Sequence, residues 1–215
     1  MNSSTGKAQE VTGRLFGIVI FCIFLYAVLD VVAQLLPPHY SPISQAESDL
    51  AVGPYGYIMT INFVNRGLLS LLFLYGITQT VKTEPSTGRY RGGILLLGIW
   101  GVGALLLAAF PTDVPSLPIS GHGLIHLVVA ILAFFGGAFG TFLISSSLGR
   151  SPLLCGAKRF ALSISSLALI FLFATLGSMA IVVGMGGLIE RIFIGLVLLW
   201  MLTMSIYLIG RVKSH

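Results

Sequence analysis

His122 to Leu148 reads HGLIHLVVAILAFFGGAFGTFLISSSL, a stretch without a single Asp, Glu, Lys or Arg. A hydrocarbon core about 30 Å thick takes roughly 20 mostly apolar helical residues to cross, so this run reads as a membrane-spanning helix. Five more stretches read the same way, at about Arg14 to Leu36, Tyr55 to Thr80, Gly92 to Phe110, Phe160 to Val183 and Glu190 to Gly210. All are continuous runs, whereas a membrane β-barrel alternates apolar and polar residues over segments of about ten. Composition agrees, with 56% hydrophobic and 9% charged residues in a chain of 215 and a mean hydropathy of +0.98. No soluble domain of this size has that composition. The predicted fold is an all-α, polytopic bundle of six transmembrane helices, with residues 1–215 forming a single membrane domain.

The cations set the expected orientation. Lys7 and Arg14, then Lys82, Arg89 and Arg91, then Arg150, Lys158 and Arg159, then Arg211 and Lys213 all fall in the gaps on one side of the spans. Basic residues in short loops mark the cytoplasmic face, which predicts a multi-pass protein of the cell membrane with both termini cytoplasmic. The net charge of +5 then reads as a topology signal and an attraction to anionic lipid, not as a nucleic-acid surface. Span two is interrupted by Asn62, Asn65 and Arg66, but removing it would carry the 82–91 loop to the other face and break the charge pattern. Span one follows a basic segment as a signal peptide does, yet it is long, carries Asp30 and lacks a small-residue cleavage site, so it is expected to be retained. Cys22 and Cys155 lie too far apart for a disulfide and match no metal-ligand spacing. Gly136 and Gly140 form a small-xxx-small pattern that admits a close helix, from this chain or a second copy.

The remaining polar residues collect on the opposite, outer side. The first outer loop is too rich in proline at Pro37, Pro38 and Pro42 to continue span one, and Ser44 with Glu47 has the spacing of a capping box, so a short interfacial helix is expected there. Asp49 is read either as a solvated residue or as part of a site, and Asp113, after Pro111 and Thr112, as a turn or cap. His122 and His126 lie one helical turn apart and face one way. Such a pair holds a zinc ion if one or two more ligands arrive from among His39, Asp49, Asp113 and Glu190; otherwise the imidazoles are hydrogen-bonding groups. A haem would need a second helix with an interior histidine, and none exists. No phosphate-binding glycine loop, dinucleotide fingerprint or serine-elbow motif is present, so nothing supports a nucleotide cofactor or a serine hydrolase.

Arg66 lies roughly 17 Å into span two at 1.5 Å per residue, near the bilayer centre. An intramembrane charge costs on the order of 3 kcal/mol even on the most lenient scale, so Arg66 must point inward to a partner. Asp30, about six residues below the outer end of span one, is the expected partner in a buried ion pair, and Asn62 and Gln34 continue a polar seam outward. Glu190 opens span six where a helix dipole favours a carboxylate. Arg191 opposes the orientation signal, which points to an anionic partner such as Asp49, Asp113 or a lipid head group.

Four short stretches taken in order, Tyr40-Ser41-Pro42-Ile43-Ser44 with Ser48-Asp49-Leu50, Phe110-Pro111-Thr112-Asp113, His122-Gly123-Leu124-Ile125-His126 and Gly187-Leu188-Ile189-Glu190-Arg191, resemble the domain-of-unknown-function 998 family of prokaryotic membrane proteins. The resemblance implies a six-span protein without an assigned reaction. It also implies that Asp49, Asp113, His122, His126, Glu190 and Arg191 form one constellation. The expected function is binding of a small polar or lipid head-group ligand in an outer-face cavity lined by those six residues, with Arg66 and Asp30 beneath. The alternatives are a metal-dependent intramembrane lipid hydrolase built on His122 and His126, a small transporter in which Asp30 and Arg66 exchange partners, and an accessory subunit of a membrane complex.

Overall fold

A computed structural model describes residues 3–81, 87–114, 117–151, 153–180 and 184–213. Six helices carry the fold: α1 (Ser3–Leu35), α2 (Gly56–Thr80), α3 (Gly88–Ala109), α4 (Gly121–Ser147), α5 (Lys158–Ala180) and α6 (Gly186–Lys213). Each is long and apolar enough to cross a membrane, and there is no strand among the described residues. The helices match the predicted spans closely, except that α1 begins well before Arg14 and α6 starts one turn before Glu190. The predicted end of span five at Val183 and the loop cation Lys82 lie outside the described residues. Two helix starts follow from their caps. Thr87 Oγ1 accepts the Tyr90 N–H at 3.1 Å, and Ser120 Oγ accepts the Gly123 N–H at 3.1 Å, each satisfying an amide that the helix leaves without a partner.

Each helix packs on its neighbours in sequence, and α6 closes back on α1, giving a ring of six. The termini and the α2–α3 and α4–α5 connections share one end; the other end, called distal below, carries the α1–α2, α3–α4 and α5–α6 connections. The core of the ring holds two groups of buried aromatic side chains, Phe16, Phe73 and Trp200 in one and Trp100, Phe134 and Phe193 in the other, with ring centroids 5.0 to 6.2 Å apart within each. In hydrocarbon such burial gains little by removal from lipid, so close packing and buried polar bonds hold the helices together.

Both devices are visible. On α4 a Cβ at Gly136 would stand 2.5 Å from Leu96 O, and one at Gly140 would stand 2.7 Å from Leu97 N. The small-xxx-small face is therefore used within the chain, against α3. The asparagines that interrupt span two hold α1: Asn62 Nδ2 donates to Tyr26 O at 3.1 Å and Asn65 Nδ2 to Cys22 O at 2.9 Å. Between α6 and α4, Trp200 Nε1 donates to Ser145 Oγ at 2.8 Å.

Candidate functional site: a buried ionic cluster under the first loop

The α1–α2 connection does not lie over the bundle as a capped surface helix. It folds inward as a 3-10 turn, Glu47–Ala51, whose N-cap is Ala46 and has no side-chain cap bond. The expected capping role of Glu47 is therefore corrected: its side chain points down into the ring and is 2% exposed. Glycines permit this descent. A Cβ on Gly56 would run into the Ala51 carbonyl oxygen, and one on Gly187 into that of Gln45, so loop and helices touch backbone to backbone. Leu188 N–H completes the seam by donating to Ile43 O at 3.0 Å.

Glu47 takes the place expected of Asp30. Its Oε2 lies 3.7 Å from Arg66 Nη1, and its Oε1 accepts a hydrogen bond from the Tyr26 hydroxyl. Its backbone N–H donates to Glu190 Oε2 at 3.2 Å. Asp30 pairs instead with Arg191, at 3.7 Å from Nη2, and accepts from Gln34 Nε2 at 2.5 Å. The exchange has a steric cause: the descending loop inserts a carboxylate between α1 and α2 and reaches Arg66 first, which leaves Asp30 to the cation arriving on α6.

Arg191 is a strut. Its Nη1 donates to Pro42 O, Gln45 O and Gly187 O at 3.3, 3.2 and 3.3 Å, its Nη2 to the Tyr40 hydroxyl at 2.6 Å, and its guanidinium lies 5.2 Å from the centroid of the Tyr40 ring. The Tyr40 hydroxyl also faces Gln45 O and Ala46 O at 2.9 and 2.7 Å, and burial pushes its pKa well above the usual phenol value. Neither Asp49 nor Asp113 serves as the partner of Arg191 that the sequence suggested.

Arg66 has a different environment. It is 1% exposed, and its guanidinium carbon lies 4.6 Å from the Trp100 ring centroid and 5.2 Å from that of Phe63. Its Nε, Nη1 and Nη2 make no hydrogen bond among the described residues. Beside it is a cavity of about 200 Å³ lined by Glu47, Asp49, Arg66, Thr112, His126 and Glu190, among others. Asp49 also lines a second hollow of about 190 Å³ nearer the distal surface, with His39, Tyr40 and Tyr55. Burial raises the Asp49 carboxyl above its ordinary value.

Of the six expected outer residues, Asp49, His126 and Glu190 meet in the cavity. Arg191 stands on the other side of Glu47 with Asp30. Asp113 caps α4: its Oδ2 accepts the Ser120 N–H at 2.7 Å and its Oδ1 the Ser120 hydroxyl at 2.6 Å, bonds that hold this surface carboxyl below its ordinary value. Gly123 makes room beside it, because a Cβ there would displace the Asp113 carboxylate. His122 is exposed, its ring 5.7 Å from that of Phe110.

His126 Nδ1 lies 2.7 Å from Phe110 O, and because a carbonyl only accepts, Nδ1 carries the hydrogen and Nε2 remains for other partners. A zinc ion at His122 and His126 depends on one or two further ligands arriving from elsewhere in the chain. One ring is at the surface and the other is buried, and no group of three or more His, Cys, Asp or Glu among the described residues is placed to hold a metal. Three members of the cluster are not among the expected site residues: Tyr40 stands in a stretch that carries the resemblance and Glu47 has only capping spacing, while Tyr26 carries no signal in the sequence.

Six membrane-length helices closed around a buried ionic cluster define a polytopic helical membrane protein. The family model described as "Protein of unknown function (DUF998)" matches residues 20–207, and the chain belongs to that family. No curated protein and no solved structure matches it. The stretches that carried the resemblance meet in space: Tyr40, Pro42 and Ile43 bond to Leu188 and Arg191, and Phe110 to His126.

Proposed function

We propose that this protein binds a small polar or lipid head-group ligand in the cavity beneath the 3-10 turn, in the outer half of the cell membrane, with both termini cytoplasmic. The orientation is supported by Arg89, Arg91, Arg150, Lys158, Arg159 and Arg211, which stand at the termini end of the helices, while Arg66 and Arg191 alone lie distally among the described cations. In this orientation the bilayer itself is the surrounding partner, and the net charge of +5 favours anionic lipid at the cytoplasmic face over nucleic acid.

The observation that carries the reading is Arg66. A guanidinium has five N–H donors, and a buried cation normally finds acceptors for them. Here one carboxylate at ion-pair distance and two ring faces are its surroundings. Ring faces contribute about 0.5–2 kcal/mol, less than the several kcal/mol lost in taking a charge out of water. An acceptor-bearing ligand in the adjoining cavity supplies the missing bonds.

Trp100, stacked under Arg66, is a built-in reporter. Titration of the detergent-purified protein with phosphoethanolamine, phosphocholine and glycerol phosphate is expected to give, for at least one, a saturable change in tryptophan emission. The change should vanish in Trp100→Phe and need at least about tenfold more ligand in Arg66→Gln, as loss of one charged hydrogen bond implies. Absence of a saturable response to all three in the wild type sinks the proposal.

A further inference from the structure

Glu47 is the wall between the cavity and a second space. On its other side a groove of about 350 Å³ runs between α1 and α6, lined by Ile23, Ala27 and Val31 from one helix and Ile194, Leu198 and Leu202 from the other. Its lips, Val31 and Leu199, are 53% and 41% exposed within membrane-spanning helices, so it opens sideways onto hydrocarbon and not onto water. Its distal end is polar: Tyr26, Asp30, Glu47 and Arg191 line it there. At that junction Asp30 Oδ1, Glu47 Oε2 and Arg191 Nε are buried without a hydrogen bond among the described residues. Orphaned acceptors and orphaned donors therefore stand together.

We propose that this groove seats the hydrocarbon chain of a membrane amphiphile whose head group lies at the Glu47 junction, which makes the ligand of the distal cavity a lipid-class molecule bearing both an anionic and a cationic group. The proposal rests on the reading of the cavity given above and specifies its ligand. An apolar slot continuous with a polar site fits a molecule that is itself apolar at one end and polar at the other. The unpaired atoms give the head-group class. Acceptors at Asp30 Oδ1 and Glu47 Oε2 and donors on Arg191 and Arg66 lack hydrogen bonds there among the described residues, so an anionic group alone answers the guanidinium donors and leaves the acceptors unmet, whereas an ammonium linked to a phosphate answers both sets.

Gly195 provides a clean test, because it lines the groove and a Cβ added there meets nothing within 4 Å. Gly195→Phe fills the slot without disturbing the helix contacts, and Ala27→Phe, from the exposed face of α1, fills it from the other wall. Tryptophan emission is followed with two probes, water-soluble phosphoethanolamine and lysophosphatidylethanolamine, each against wild type and both variants. The expected result is an unchanged phosphoethanolamine response in both variants and a lysophosphatidylethanolamine response weakened at least about tenfold, as loss of a seated chain implies. If both variants respond to the lysolipid as the wild type does, while phosphoethanolamine still binds, the groove is not the chain site and the cavity reading survives alone. If neither probe acts on the wild type, this inference falls, and the cavity reading then stands or falls on phosphocholine and glycerol phosphate.

Discussion

Replacing Glu47 by Ala removes the carboxylate beside Arg66 and leaves a cation that is 1% exposed facing two aromatic rings. Removing one member of a buried ion pair costs about 3–5 kcal/mol, because the remaining charge stays desolvated. The same substitution deletes the acceptor of the Tyr26 hydroxyl, and since both losses arise from one group they are not summed. For a chain of this length each kcal/mol moves the melting temperature by about 2–4 °C, so Glu47→Ala should melt roughly 6–20 °C below wild type. Glu47→Gln keeps an acceptor for Tyr26 but loses the charge, and should fall between the two. The informative arm is the cycle with Arg66→Met. With both charges gone no buried ion is left, so the double variant should recover about 2 kcal/mol or more relative to the sum of the single losses. Unfolding in detergent, followed by tryptophan emission, reads all four proteins. A Glu47→Ala protein within about 2 °C of wild type, or single effects that simply add, would refute the assignment of Glu47 as the counter-charge of Arg66.

Gly187→Ala should lift the first loop from α6, because its Cβ would strike Gln45 O and stand 2.9 Å from Pro42 O; hydrogen exchange across residues 40–50 should quicken, and Gly195→Ala, with open space around it, should not change it. The two aspartates outside the helices should give opposite pH slopes. Asp113 is held low by Ser120, so its stabilisation is present above the ordinary value of 3.8 and lost as the pH falls below it, and Asp113→Asn should remove that acid-side loss. Asp49 is raised by burial, so its ionisation costs stability as the pH rises above the ordinary value of 3.8, and melting curves of Asp49→Asn should gain on wild type as the pH rises. Gly140→Leu should separate α3 from α4, since even a Cβ there stands 2.7 Å from Leu97 N; its yield of folded protein by size-exclusion chromatography should collapse, whereas Gly177→Leu, with nothing near, should behave as wild type.

The spans were legible because hydrocarbon thickness fixes helix length, and a run such as His122 to Leu148 permits no other reading. Arg66 was legible as an inward-facing cation for the same reason. Its partner was not. Asp30 lies on a predicted helix at a suitable depth, whereas Glu47 lies in a loop with capping spacing, and nothing local announces that a loop will descend into the bundle. What directs it is contact between distant backbones at Gly56 and Gly187, together with the four bonds of Arg191, and these depend on the ring closing. The histidines illustrate the same limit. Helical spacing put His122 and His126 on one side, but one turn of height was enough to leave the first at the surface and bury the second.

The closing seam of the ring has a consequence for biogenesis. In a chain inserted from its N-terminus, each helix finds its partner already in place, except that α1 must wait for α6. Until then Asp30 lacks Arg191, Glu47 lacks the carboxylate that accepts its amide, and the first loop lacks the strut that holds it down. The polar cluster thus becomes complete only when the last helix arrives, so an unfinished chain carries unpaired intramembrane charge, the kind of defect that membrane quality control detects. Assembly of the site and the arrival of α6 are, for this topology, a single event.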